Sequence, residues 1–160
     1  MILYFSAEGN SRHVAERIAE YLGDVAVSIE AFKGETNPHI AVEESGCLGF
    51  IAPTYCWGLP TPAVDFLKCA TFEVPANAYV FTATTFGTTA GQTTRFAANL
   101  LHERGVETTA QYVLPAYAGM IPRRRRKPCP RNRAPRVCGD DPAQKLAKLV
   151  MARCSPRMRG

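Results

Sequence analysis

The first 112 residues switch repeatedly between short apolar runs of β type and stretches whose apolar residues recur at helical spacing. This alternation points to a parallel sheet with helices on both faces. MILYF at 1–5 reads as a buried strand. From Ser11, SRHVAERIAEYLG follows as a helix with Val14, Ile18, Tyr21 and Leu22 on one face and Gly23 at its end. VAVSIEAF (25–32) predicts a second strand and CLGFIA (47–52) a third, joined by an irregular link at 33–46. Thr61 stands where it would cap TPAVDFLKCA, with Pro62 at the first helical position. AYVFTAT (78–84) predicts a fourth strand. AGQTTRFAANLLHERG then forms a helix with Phe96, Leu100 and Leu101 inward and Gly105 closing it, and ETTAQYV starts a fifth strand. The predicted fold class is α/β, a doubly wound parallel sheet.

Charge divides the chain at the same place. Residues 1–112 hold six Lys and Arg against twelve Asp and Glu, whereas residues 113–160 hold thirteen against two. The formal net charge of +5 therefore describes neither part and identifies no partner. Met1 opens directly into an apolar run without a basic segment before it, which is not the pattern of a signal peptide. No apolar stretch approaches the roughly 20 residues that span a bilayer, so the expectation is a cytoplasmic protein with no membrane partner. The six cysteines include no C-x-x-C pair and signal neither a zinc site nor a disulfide framework.

In doubly wound sheets, ligands sit beyond the carboxyl ends of the strands. Three loops leave those ends: SAEGNS (6–11), PTYCWGLP (53–60) and TFGTTAGQ (85–92). The first leads into a helix N-terminus, where unpaired N–H groups and the helix dipole favour an anion. It lacks the lysine of a P-loop and the three glycines of a dinucleotide fingerprint. The other two bring Tyr55, Trp57 and Phe86 toward the same edge, which suits a flat aromatic ligand. A phosphate in one loop and a ring between aromatics in the others describe a mononucleotide such as FMN.

MILYFSAEGNS followed by a helix is similar to the phosphate loop of flavodoxins, and with GFIAPTYCWGLP it resembles the flavodoxin-type domain that heads flavodoxin–ferredoxin fusion proteins. The resemblance covers residues 1–112 and implies a flavodoxin-like sheet of order 2-1-3-4-5. It further implies an FMN site of Ser6, Ala7, Glu8, Gly9, Asn10 and Ser11 from the first loop, Pro53, Thr54, Tyr55, Trp57 and Gly58 from the second, and Thr85, Phe86 and Gly87 from the third. Ser6, Gly9, Asn10 and Ser11 would hold the phosphate, with Tyr55, Trp57, Gly58 and Phe86 around the isoalloxazine. The Trp57–Gly58 peptide would hydrogen-bond flavin N5 on one-electron reduction, because Gly lets the backbone turn either way. The function implied is electron transfer with a redox protein partner, ferredoxin-like or a reductase; no side chain is assigned as acid, base or metal ligand. An FMN-dependent NAD(P)H reductase and an inactive fragment are the alternatives. Two departures stand out. Glu8 occupies a position where the family usually has a hydroxyl, and nothing after residue 112 resembles the cysteine motifs of the fusion relatives.

The basic part explains the second departure. PAYAGMIP from Pro115, PRVCGDDP from Pro135 and SPRMRG from Ser155 recur at steps of 20 residues and are unrelated as protein. Back-translated, all three are one DNA string, TCCCCGCGTATGCGGGGATGATCCC, read from its third, second and first base; the last reading reaches the stop TGA directly after Gly160. The string carries the inverted repeat CCCCGC…GCGGGG, and the match begins at Val113. A hairpin-forming repeat with spacers of constant length resembles a CRISPR array. Residues 113–160 are thus expected to be a non-native, irregular tail joined to a fold truncated at its fifth strand, whose covering helix is missing. RRRRKPCPRNR (123–133), with six arginines and a lysine, falls in the first spacer and predicts no specific nucleic-acid partner. AQKLAKLVMAR (143–153) falls mostly in the second, as an amphipathic helix without a partner. Sequencing the encoding DNA is expected to show units about 61 bases apart, 20 codons plus one base. Codons that differ among the three segments at the inferred bases would rule this origin out.

Overall fold

The computed structural model describes residues 1–43, 46–115 and 142–154. Five strands form one parallel sheet in the order β2-β1-β4-β6-β7. They are β1 (Ile2–Tyr4), β2 (Ala26–Ser28), β4 (Cys47–Pro53), β6 (Tyr79–Phe86) and β7 (Ala110–Pro115). Four helices cover it: α1 (Asn10–Leu22), α2 (Thr61–Cys69), α3 (Thr93–His102) and α4 (Pro142–Cys154). This is the predicted 2-1-3-4-5 arrangement, with two further strands outside it. Those strands, β3 (His39–Ala41) and β5 (Thr71–Glu73), pair with each other in parallel. β3 lies in the link read as irregular; its alternation is only three residues long, with Ile40 turned inward between exposed His39 and Ala41.

Both faces of the sheet are packed, as the continuous apolar runs of β4 and β6 require. Leu3, Leu48, Phe50 and Val80 meet Ala63, Phe66 and Leu67 of α2 and Ala97, Leu100 and Leu101 of α3. Ile2, Ile51, Phe81 and Leu114 meet Val14, Ala15 and Ile18 of α1 and Ala143, Leu146, Ala147 and Val150 of α4. Gly49 belongs to the second face. A Cβ there would lie 2.5 Å from the Phe81 ring and 2.8 Å from Ile2 Cδ1, so its missing side chain is the space those two fill.

Several local expectations are corrected. The second strand is only β2; Ser28 then accepts a hydrogen bond from the Glu30 N–H and starts a 3₁₀ turn at Ile29–Phe32. Thr61 does not cap α2 but is its first residue, after Pro60. Phe96 points outward, 44% exposed, because Thr93, Ala97, Leu100 and Leu101 already fill the buried stripe of α3. Tyr21 and Leu22 are half-buried, and the Tyr21 hydroxyl accepts from Gln144 Nε2 of α4 at 2.6 Å.

The largest difference concerns the tail. β7 does not stop at Tyr112 but runs through Val113 and Leu114 to Pro115, and Leu114 is buried. The face expected to lack a helix is covered by α4. The arginine run lies outside the described residues. No helix among the described residues is long and apolar enough to cross a membrane.

Candidate functional site

The chain leaves β1 toward β2 on one side of the sheet and returns to β4 on the other, so the strand order reverses between β1 and β4. A crevice opens there beyond the carboxyl ends. A cavity of about 190 Å³ occupies it, lined by Ser6, Ala7, Glu8, Asn10 and Ser11, by Pro53, Thr54 and Tyr55, and by Thr85, Phe86 and Gly87. Three loops far apart in sequence thus meet at one place. Of the site residues expected from sequence, Gly9, Trp57 and Gly58 do not line this cavity.

The first loop turns on Gly9, whose φ of 92° lies in the left-handed region and sets it as the N-cap of α1. No side chain caps this helix. The Gly9 N–H donates to Ser6 Oγ at 3.0 Å, while the first-turn N–H groups of Asn10, Ser11 and Arg12 have no carbonyl partner within the helix. Ser11 is buried, and its hydroxyl lies 2.8 Å from Thr85 Oγ1, tying the first loop to the third.

A chain of threonines fixes the second loop to the third. Thr84 Oγ1 donates to the Ala52 carbonyl at 2.8 Å, Thr54 Oγ1 lies 2.9 Å from Thr84 Oγ1, and Thr93 Oγ1 donates to the Ala90 carbonyl at 3.0 Å, with Thr54 and Thr93 hydroxyls 3.0 Å apart. Each hydroxyl has one proton, so Thr54 gives its own to one of Thr84, Thr93 and the Ala90 carbonyl, which lies 3.1 Å away. Sequence reasoning passed over Thr84, Thr93, Gly91 and Gln92. Their one visible signal was the density of threonine and glycine between positions 82 and 94.

Tyr55 and Gly58 form an isolated antiparallel bridge around a two-residue turn, each N–H donating to the other's carbonyl at 2.9 Å. Its central residues, Cys56 (φ 47°) and Trp57 (φ 63°), are both left-handed, the geometry of a type I′ turn. Two non-glycine residues there hold backbone strain. Both hydrogen-bonding groups of the Trp57–Gly58 peptide are engaged within the protein in this structure. Its N–H is already given to the Tyr55 carbonyl, its carbonyl accepts from the Gln92 N–H at 3.3 Å, and the positive φ falls on Cys56 and Trp57 rather than on Gly58. The turn stands out from the surface, with Trp57 71% exposed and Tyr55 43% exposed.

A larger cavity of about 260 Å³ lies between the 3₁₀ turn and α2, lined by Phe32, Phe66, Glu30, Asp65 and their neighbours. Its lining has no hydroxyl side chain and sets Glu30, Glu35 and Asp65 against Lys33, so the crevice is the better site for a phosphate.

Residues 1–113 match the family model described as Flavodoxin domain. The chain belongs to the flavodoxin domain family. As a flavodoxin domain, it binds FMN. Among curated proteins, none matches. Among solved structures, it is similar to oxidised Flavodoxin 1 from Bacillus cereus, with TM-score 0.62 and 15% identity over 96% of this chain and 94% of that one. It is also similar to the WrbA-like flavodoxin from Agrobacterium tumefaciens, with TM-score 0.56 and 14% identity over 96% and 92% of the two chains. Rubredoxin oxygen:oxidoreductase from Desulfovibrio gigas gives TM-score 0.57 at 14% identity; the match covers 96% of this chain but only 34% of that one. At these identities, the likeness is one of fold.

The crevice fits the cofactor of a flavodoxin domain. Its deep end offers unpaired N–H groups at an uncapped helix start, together with hydroxyls, which are the donors a phosphate needs. Its mouth offers exposed aromatic rings. The enclosed volume is below the roughly 300–1,000 Å³ of pockets that swallow a ligand. It suits a phosphate and sugar chain held inside with a ring at the rim.

Proposed function

We propose that this flavodoxin domain is an electron carrier whose FMN lies with its phosphate on the loop Ser6–Ser11 and its ring at the rim formed by Tyr55, Trp57 and Phe86. The observation that carries this reading is the meeting of an uncapped helix N-terminus and two aromatic-bearing loops at the sheet's switch point. Ser6, Ala7, Asn10 and Ser11 surround the phosphate end, Pro53, Thr54, Thr85 and Gly87 border the chain between phosphate and ring, and Gly9 shapes the turn without lining it. Gly58 acts on Tyr55 through the two bonds of the turn. When bound, FMN supplies the one- and two-electron chemistry, and the protein sets its orientation and electrostatics.

The exposed turn at the rim would let electrons pass directly to a protein partner, which supports a carrier over a self-contained reductase. The partner is a redox protein, ferredoxin-like or a reductase, and the setting is cytoplasmic. Titration with FMN is expected to quench flavin fluorescence and give a yellow protein after gel filtration. Anaerobic NADPH alone should leave that colour unchanged, whereas dithionite bleaches it. Full flavin fluorescence throughout the titration would refute the binding site, and bleaching by NADPH alone would refute the carrier reading.

A further inference from the structure

The phosphate end of the crevice contains its own anion. Glu8 directly precedes the N-cap Gly9 and lines the cavity, and it is the one charged residue among those that do. No lysine, arginine or histidine joins it there among the described residues. The nearest arginine in sequence, Arg12, gives its Nε–H to Glu16 Oε1 at 2.6 Å and does not line the cavity. Attraction for an anion therefore comes from backbone N–H groups and hydroxyls alone. A helix N-terminus acts as about half a positive charge. One full negative charge on the same loop outweighs that.

We propose that Glu8 is a selectivity residue that opposes the charged phosphate of FMN, so that this domain discriminates only weakly between FMN and the phosphate-free flavin riboflavin. The inference rests on the FMN reading above. Glu8 is exposed, so its effect acts through water and is open to screening. A phosphomonoester carries about 1.5–2 negative charges at neutral pH. The repulsion therefore falls on FMN and spares riboflavin, whose ring and sugar chain meet the same rim.

The test measures dissociation constants of FMN and of riboflavin for the wild-type chain, Glu8→Gln and Glu8→Lys, each at low salt and at high salt. Wild type is expected to favour FMN over riboflavin by less than about tenfold, a difference of about 1.4 kcal/mol. Glu8→Gln should tighten FMN about tenfold while moving riboflavin less than about twofold, and Glu8→Lys should tighten FMN further. At about 1 M salt, where the screening length is about 3 Å, the three proteins should converge on FMN. Equal changes for both flavins, no change for either, or a wild type that already prefers FMN a hundredfold or more would overturn the role of Glu8 and leave the FMN site standing. Binding of neither flavin by any of the three proteins, with circular dichroism showing them folded, would instead overturn the FMN reading and this inference with it.

Discussion

Replacing Ala147 by Asp is expected to lower the melting temperature by about 6–12 °C, the shift that about 3 kcal/mol produces in a chain of this size. Ala147 and Val150 are fully buried against the sheet face carrying Ile2, Ile51 and Phe81, with Leu146 beside them. An unpaired carboxylate at Ala147 would have to enter that face or force α4 off it. Leu146→Ala should cost about 2–5 kcal/mol by removing packed volume. Removing residues 142–160 should go further, leaving the α1 side of the sheet open and binding a hydrophobic dye such as ANS. The control is Leu149→Asp. Leu149 lies on the same helix but is 54% exposed, so that change should stay within about 0.5 kcal/mol of wild type. Thermal melts followed by circular dichroism decide the matter. Equal melting of Ala147→Asp, Leu149→Asp and wild type would mean that α4 does not close the fold.

Gly91→Ala is expected to disturb the flavin rim. A Cβ at Gly91 would lie 2.5 Å from the Trp57 carbonyl oxygen, 2.8 Å from its Cα and 2.9 Å from its carbonyl carbon, and φ there is +55°. All three neighbours are backbone atoms of a turn already held in left-handed geometry, so no side chain can swing aside. The third loop must back away, and the bond from the Gln92 N–H to the Trp57 carbonyl is the first to stretch. FMN affinity should fall about tenfold or more, and stability by about 1–3 kcal/mol. The chain has one tryptophan, so Trp57 emission reports the turn directly, with or without flavin. Gly58→Ala is the comparison: its nearest neighbour would be the Tyr55 carbonyl oxygen at 3.9 Å, and the flavin-free protein should keep its emission and melting temperature. Unchanged emission in Gly91→Ala would show that the two loops are not coupled through this contact.

The repeat-derived origin of the tail is a proposal that sequencing the encoding DNA would test. The flavodoxin-domain match ends at residue 113, where the inferred DNA repeat begins. Yet residues beyond that junction complete the structure: Leu114 supplies a buried side chain in β7, and Ala143, Leu146, Ala147 and Val150 supply one face of α4. Ancestry and packing are separate questions. A helix needs only apolar residues at positions i, i+3, i+4 and i+7 to cover an open sheet face, and a segment with no ancestral place in the fold can meet that pattern.

By itself, the sequence determined the five strands of the main sheet and the three loops that meet at the crevice, because strand and helix periods are local; the sheet order came from the family resemblance those loops carry. It also determined that the phosphate loop carries Glu8, because that is a matter of residue identity. Only the tertiary structure decided that Phe96 faces out, since the inward stripe of α3 is chosen by which residues fit the sheet and Ala97 fits more closely. It decided that the Trp57–Gly58 peptide is held by Tyr55 and Gln92, through partners that no periodicity links. It also placed α4 on the face that α1 leaves open, although the two helices lie far apart in the chain. Local pattern fixes what an element can bury. What it buries against depends on the whole chain, because apolar attraction has no direction and is satisfied by whichever surface the other elements leave open.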